Sequence, residues 1–274
     1  MSTLTVSVLG VGLLGPGLPD WAVGAAALRD PSSWVDTPTV VPPPQRLPAT
    51  ERRRAGPVVK VSLVVADEAV AAVTAAGLDA ATLPTVFTSS TGEPSNCHAL
   101  CEALAAPERM VSPTRFTNSV HNAPGGYWHI AVHSMAASTS LAAHDASFGA
   151  GLLEAMTQVA ATGAPVLLVA ADVPYPAPLD AKRPTRDAVG VALVLAPASA
   201  AGTTLCLQLV PEAPPTTCGH EGLDQLRQGV PAARALPLLQ ALARGGASAL
   251  VVEGPPGLSL ALTVTAPVFT APAA

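Results

Sequence analysis

Apolar positions fall in short runs broken by glycine, proline and small polar residues, and their period changes along the chain. Residues 4–9 (Leu-Thr-Val-Ser-Val-Leu) alternate and carry β-branched side chains, which predicts a first strand. From Val58 to Gly77 the apolar residues return at helical spacing, with Lys60, Asp67 and Glu68 as polar breaks and Gly77 as a stop. Leu83 to Thr88 reads as a buried strand that ends in Ser-Ser-Thr-Gly at 89–92, and Glu93 to Ala105 as a short helix. Ser138 to Ala142 predicts a short strand and Ser147 to Thr162 a helix of small residues. The unbroken apolar runs at 165–171 and 189–195 predict strands covered on both faces. Further strands are expected at 203–210 and 258–265, with helical pieces at 223–228 and 232–243. Strand and helix alternate throughout, so the pattern predicts an α/β layered domain with a mostly parallel sheet. The 31–57 stretch is set apart by Pro31, Pro38, Pro42, Pro43, Pro44, Pro48 and Pro57, each lacking a backbone donor. It reads as an ordered excursion from one domain spanning 1–274, with 200–274 adding strands and helices to that same domain.

Composition narrows the classes. In 274 residues, 49% are apolar and only 12% charged, which excludes disorder for most of the chain. Aromatics are 3%, so the core must rest on close approach of small and branched residues. A net charge of −5, with Arg52-Arg53-Arg54 as the one basic run, argues against nucleic acid. No stretch has the ~18 to 20 uninterrupted apolar residues of a spanning helix. The start Met1-Ser2-Thr3 lacks the basic residues of a secretory signal, and the four cysteines follow no pairing pattern, so a cytoplasmic protein with reduced thiols is expected.

Several motifs invite a chemical reading. Gly10-Val-Gly12-Leu-Leu-Gly15 matches the dinucleotide fingerprint by letter, but Pro16 and Pro19 occupy the start of the helix that motif requires; a tight turn after the strand explains it better. Cys97 and Cys101 share a helix face without a second pair to complete a zinc site. His129 and His133 have metalloprotease spacing, yet Ile130 stands where the general base belongs. Neither cofactor nor metal is expected. The best place for a nucleophile is Ala143-His144-Asp145-Ala146-Ser147, where a strand gives way to a helix N-terminus. Its occupant Asp145 suits an N-cap better than an acyl acceptor.

Taken together, Val86-Phe-Thr-Ser-Ser-Thr-Gly-Glu93, Ser112-Pro-Thr, Phe116, Asn118-Ser-Val-His-Asn-Ala123, Gly126-Tyr-Trp128, Ser138-Thr-Ser-Leu-Ala-Ala143 and Asp145 to Ala155 carry a family likeness. The sequence resembles short β-ketoacyl synthase-like proteins, the ketosynthase N-terminal domains and chain-length factors of aryl polyene and related pigment clusters. Leu47-Pro-x-x-Glu-Arg-Arg-Arg54 and the opening strand extend the likeness over about residues 3–200. The resemblance implies a thiolase-like half, βαβαβαββ, with a C-terminal embellishment. It also brings Asp145, preceded by His144, to the position of the catalytic cysteine, and the downstream catalytic histidines have no counterparts; His220 is a poor substitute.

Condensation needs a nucleophile that stores an acyl group as a thioester. An aspartate would form a mixed anhydride, a far less stable store. The expected role is therefore a non-catalytic, chain-length-factor-like subunit that partners a full-length ketosynthase, shapes its acyl tunnel and meets acyl carrier protein only indirectly. The expected interface is Tyr127, Trp128, Ser138, Thr139, Ser140 and Leu141. One alternative is a small acyl-thioester hydrolase or acyltransferase using His144 or His121 with Asp145; another is a homodimeric acyl-binding scaffold.

Overall fold

The first strand runs past its expected end. In the computed structural model, which describes residues 3–198 and 202–266, β1 spans Leu4–Leu14 and carries Gly10 and Gly12 inside it rather than in a turn. The reason is tertiary. A Cβ on Gly10 would lie 2.1 Å from the Ala69 carbonyl oxygen, and one on Gly12 would lie 2.0 Å from that of Val65. Both carbonyls belong to the helix crossing β1, so these glycines serve close backbone approach inside the strand rather than a turn after it.

After β1 come α1 (Trp21–Arg29), α2 (Ala49–Arg54), α3 (Pro57–Ala75), β2 (Thr85–Thr88), α4 (Pro94–Ala105), α5 (Pro113–Thr117), α6 (Ala123–Val132), β3 (Ser138–Leu141) and α7 (Ser147–Thr162). The chain continues through β4 (Val166–Asp172), β5 (Val189–Pro197), β6 (Thr203–Pro211), α8 (Glu221–Gly229), α9 (Leu236–Arg244), β7 (Ala247–Glu253) and β8 (Leu258–Thr265). The patterning missed α1, α5, α6 and β7. The proline-rich excursion contains the short helix α2, and its irregular part is tied down where the Thr39 N–H reaches Asp187 (3.1 Å) and the Thr39 hydroxyl reaches the Ala188 carbonyl (2.9 Å).

The strands form one sheet in the order β3-β2-β4-β5-β1-β6-β8-β7. The α/β layering holds, and β1 to β4 run in one direction, but the pairings are not mostly parallel. Among the described residues only β2 pairs in parallel, with β3 and β4, and the five other pairings are antiparallel. Parallel neighbours need a crossover, which helices supply before β3 and β4. Between β4 and β5 the described chain offers only a single 3-10 turn, so β5 returns antiparallel and separates β4 from β1.

Alternation sorts the side chains between two cores. Leu168 and Ala170 of β4 and Val191 and Leu193 of β5 face Phe148, Leu152 and Met156 of α7. Leu167, Val169, Ala192 and Val194 face α3 and α6 on the other side. This double burial explains the unbroken apolar runs. β1 changes face at a bulge between Val8 and Gly10, placing Val6 and Val8 before it, and Leu13 after it, in the same core. The C-terminal elements extend this arrangement: β6 pairs with β1, and Leu205, Leu223 and Leu239 join the α7 core. Residues 200, 201 and 267–274 of that segment lie outside the described residues.

Candidate functional site

Strands β2, β3 and β4 end at one edge, where Thr88 stands level with Leu141 and Ala170. Ligand sites gather at such C-terminal strand ends in α/β sheets. The last residue of β4 is Asp172, 1% exposed, and it organises the edge. Its Oδ1 accepts from the Ser90 N–H (2.7 Å), the Thr91 N–H (2.8 Å) and the hydroxyls of Ser89 and Thr91 (both 3.1 Å). Its Oδ2 accepts from the Ala232 N–H at 2.8 Å. Burial pushes the Asp172 pKa up, and these donors act against it. One carboxylate thus holds the Ser-Ser-Thr-Gly turn against the 3-10 turn Pro231–Ala235 that leads into α9.

Beside this turn lies Asp145. The chain reaches it through His144, whose backbone is left-handed with φ +52°. The Ser147 hydroxyl fixes that geometry by donating to the His144 carbonyl (2.7 Å) and accepting from the Ala143 N–H (3.0 Å). Asp145 is therefore not the N-cap that its position implied, since its side chain turns away to two arginines. Arg183 Nη2 donates to its Oδ1 at 2.6 Å, and Arg234 Nη2 lies 3.3 Å from its Oδ2. Partial burial works to raise the Asp145 pKa, but the Arg183 hydrogen bond and the charges of Arg234, Arg183 and His144 hold the carboxyl below its ordinary range.

The network continues inward. Arg234 Nη1 donates to Glu253 Oε1 at 2.9 Å, and Arg227 Nη1 donates to the same oxygen at 2.5 Å. Arg227 Nε lies 3.7 Å from Asp224. Arg183 also donates to the Ser90 hydroxyl at 2.9 Å, joining the network to the Asp172 turn. Gly149 brings Glu253 within reach, because a Cβ there would lie 2.1 Å from the Glu253 carbonyl oxygen. Three carboxylates and three guanidinium groups therefore balance where an acyl nucleophile was sought.

The other predicted residues are scattered around this centre. His144 Nδ1 lies 3.6 Å from Asp145 Oδ1, but its side chain is 72% exposed. His121 Nε2 is 3.0 Å from the Ser89 carbonyl oxygen, so it meets the same turn from another side and does not pair with Asp145. His220 caps α8 through Leu223 and stacks edge-on against Trp34. Tyr127 and Trp128 are corrected as interface residues: both sit in the core beneath the sheet, Trp128 at 1% exposure, and the Tyr127 hydroxyl donates to Asn118 Oδ1 at 3.0 Å. Ser138, Thr139, Ser140 and Leu141 form β3, which among the described residues is paired on one side only and thus an edge strand. Sequence reasoning missed Asp172, Arg183, Arg227, Arg234 and Glu253. The available signal was Asp172 itself, an acid closing an unbroken apolar strand.

Among the described residues no cluster of three or more His, Cys, Asp or Glu side chains could hold a metal ion. Cys97 and Cys101 are exposed on α4, and His129 and His133 fall on α6 and at its left-handed cap. No described helix is long and apolar enough to cross a membrane.

Comparison with known proteins matches a family model described as the N-terminal domain of β-ketoacyl synthase over residues 26–254. No curated protein matches the chain. Among solved structures, a chain of the ketosynthase ApeO in complex with its chain length factor ApeC from Xenorhabdus doucetiae is 23% identical, with 95% of this chain and 99% of that one covered and a TM-score of 0.71. A chain of the ishigamide ketosynthase/chain length factor is 14% identical, with 96% and 99% covered and a TM-score of 0.70. A chain of the AntDE:AntF assembly, a type II polyketide synthase carrier protein with its ketosynthase, is 12% identical, with 97% and 100% covered and a TM-score of 0.73. At these identities the likeness establishes the thiolase-like ketosynthase fold.

Proposed function

The chain belongs to the β-ketoacyl synthase N-terminal domain family, and from that membership we propose that it is a chain-length-factor-like subunit without a condensing nucleophile of its own. It pairs with a full-length ketosynthase, shapes that partner's acyl tunnel, and meets acyl carrier protein only through the partner, in cytoplasmic polyketide or aryl polyene-type biosynthesis. The observation that carries this reading is the state of Asp145, which stands where the resemblance puts the nucleophile and is held between Arg183 and Arg234. A carboxylate so paired is a weak base and a weak nucleophile. The hydrolase alternative loses support for the same reason: His121 is engaged with Ser89, and His144, although 3.6 Å from Asp145, meets a carboxylate already paired with Arg183 and Arg234.

The surface supports a partner on the β3 side. Phe116, Val120, Ile130 and Met135 are exposed in the segment leading into that edge strand, Met135 at 97%. An unpaired strand edge flanked by apolar side chains is a surface that association would cover. The neighbouring ApeO ketosynthase, solved with its chain length factor, offers a precedent for such a pair. Co-expression with the full-length ketosynthase of the same gene cluster, followed by size-exclusion chromatography, tests the reading. A single heterodimer peak is expected; two separate peaks at micromolar concentration would refute it. A homodimer indifferent to the ketosynthase would favour the scaffold alternative.

A further inference from the structure

Away from the Asp145 network, a cleft of about 370 Å³ opens where α3 and α4 begin, walled by the end of α2 and by α5. Arg54, Glu93, Ser95, Ser112, Thr114 and Arg115 line it. Glu93 Oε2 accepts the Val58 N–H at 3.1 Å, whereas Oε1 is buried without a partner. Arg54 donates to Glu51 at 3.2 Å, and the Arg115 guanidinium has no acceptor among the described residues. Lys60 on α3 is the cation acting on Glu93, and His121 flanks Gly92 beside it. The charged side chains of the lining are thus the Arg54 and Arg115 guanidinium groups and the Glu93 carboxylate, with hydroxyls from Ser95, Ser112 and Thr114 beside them, and Glu93 becomes a donor too once a proton sits on Oε1.

We propose that this cleft binds a phosphate- or sulfate-type dianion, held by Arg115 and Arg54, and that Glu93 enters the bound state protonated. Burial pushes the Glu93 carboxyl up to about 7, so the proton is taken up near neutrality. Binding above neutrality therefore couples to the uptake of a proton. The inference is independent of the ketosynthase partner, since it rests on this cleft alone.

Sulfate is the discriminating probe, because it stays dianionic between pH 6 and 8 while Glu93 titrates. Isothermal titration at constant ionic strength should show saturable binding at pH 6 that weakens about tenfold by pH 8, the ratio of protonated Glu93 at the two pH values. Glu93→Gln should bind with equal affinity at both, Arg115→Ala should abolish binding, and His121→Ala should retain the pH dependence. Circular dichroism confirms that the exposed Arg115 variant is folded. No saturable binding at pH 6, equal affinity at pH 6 and 8, or binding unaffected by Arg115→Ala would overturn the proposal. Phosphate and a phosphate monoester, compared at pH 6 at equal dianion concentration, distinguish a free anion from a phosphorylated molecule.

Discussion

Replacing Asp172 with Asn tests the idea that one buried carboxylate holds the turn after β2 against the segment leading into α9. Asp172 accepts at both oxygens, from Ser89, Ser90 and Thr91 at Oδ1 and from Ala232 at Oδ2. An asparagine can present its oxygen to only one of these sides. If the oxygen faces Ser90 and Thr91, the amide N–H₂ meets the Ala232 N–H, donor against donor, in a site closed to water. A hydrogen bond to a charged group contributes roughly 1.5 to 3 kcal/mol, and a donor left buried and unpaired costs roughly 1 to 3 kcal/mol more. The expected destabilisation is about 3 to 5 kcal/mol. Urea unfolding followed by circular dichroism should show the midpoint falling by about 1 to 2 M with an unchanged slope. Thr91→Val, which removes one hydroxyl and leaves the backbone donors, should cost about 1 kcal/mol. A loss below about 1 kcal/mol in Asp172→Asn, with the Thr91 variant equal to it, would refute the two-sided role.

Asp145→Asn removes a half-exposed counter-ion, so screening limits its effect to about 1 kcal/mol; this should appear at pH 7 and vanish in thermal melts as the pH falls through the lowered pKa of Asp145, because a depressed carboxyl contributes stability only while ionised. Glu93 has the opposite sign: its pKa is raised from 4.5 to about 7, the native state binds more protons in that window, and stability should fall by about 3 kcal/mol as pH rises from 4.5 to 7, a slope that Glu93→Gln removes. Gly12→Ala places a Cβ 2.0 Å from the Val65 carbonyl oxygen and should cost about 3 kcal/mol or more in the same urea assay. Met135→Asp should leave the melting curve of the isolated protein unchanged, since the side chain is 97% exposed, and weaken co-elution with the ketosynthase at least tenfold.

How much of this was legible in the sequence depends on whether the cause of each feature is local. β4 and β5 could be read because burial on both faces forces an unbroken apolar run, and α3 because its apolar residues recur at helical spacing. The end of β1 could not, because Gly10 and Gly12 answer to the carbonyls of Ala69 and Val65, and a glycine needed for backbone approach looks the same in a sequence as one that turns the chain. Tyr127 and Trp128 illustrate the same limit. An aromatic pair in a protein with few rings can be a partner's anchor or a core plug, and only the packing of α6 on α3 decides for the plug. The site divides along this line as well. A strand-to-helix turn at Ala143 to Ser147 was visible, and so was the misfit of an aspartate there. What that aspartate does depends on a loop arginine, on Arg234 ahead of α9 and on Glu253 at the end of β7, a strand the patterning missed altogether. A charge network whose members are brought together only by the last strands of the sheet leaves no period and no motif. The sequence-level trace of the network is chemical: an acid where a nucleophile is expected must be neutralised from elsewhere in the chain, and the arginines, Arg183 in the charged loop 180–187 among them, are the groups able to do it.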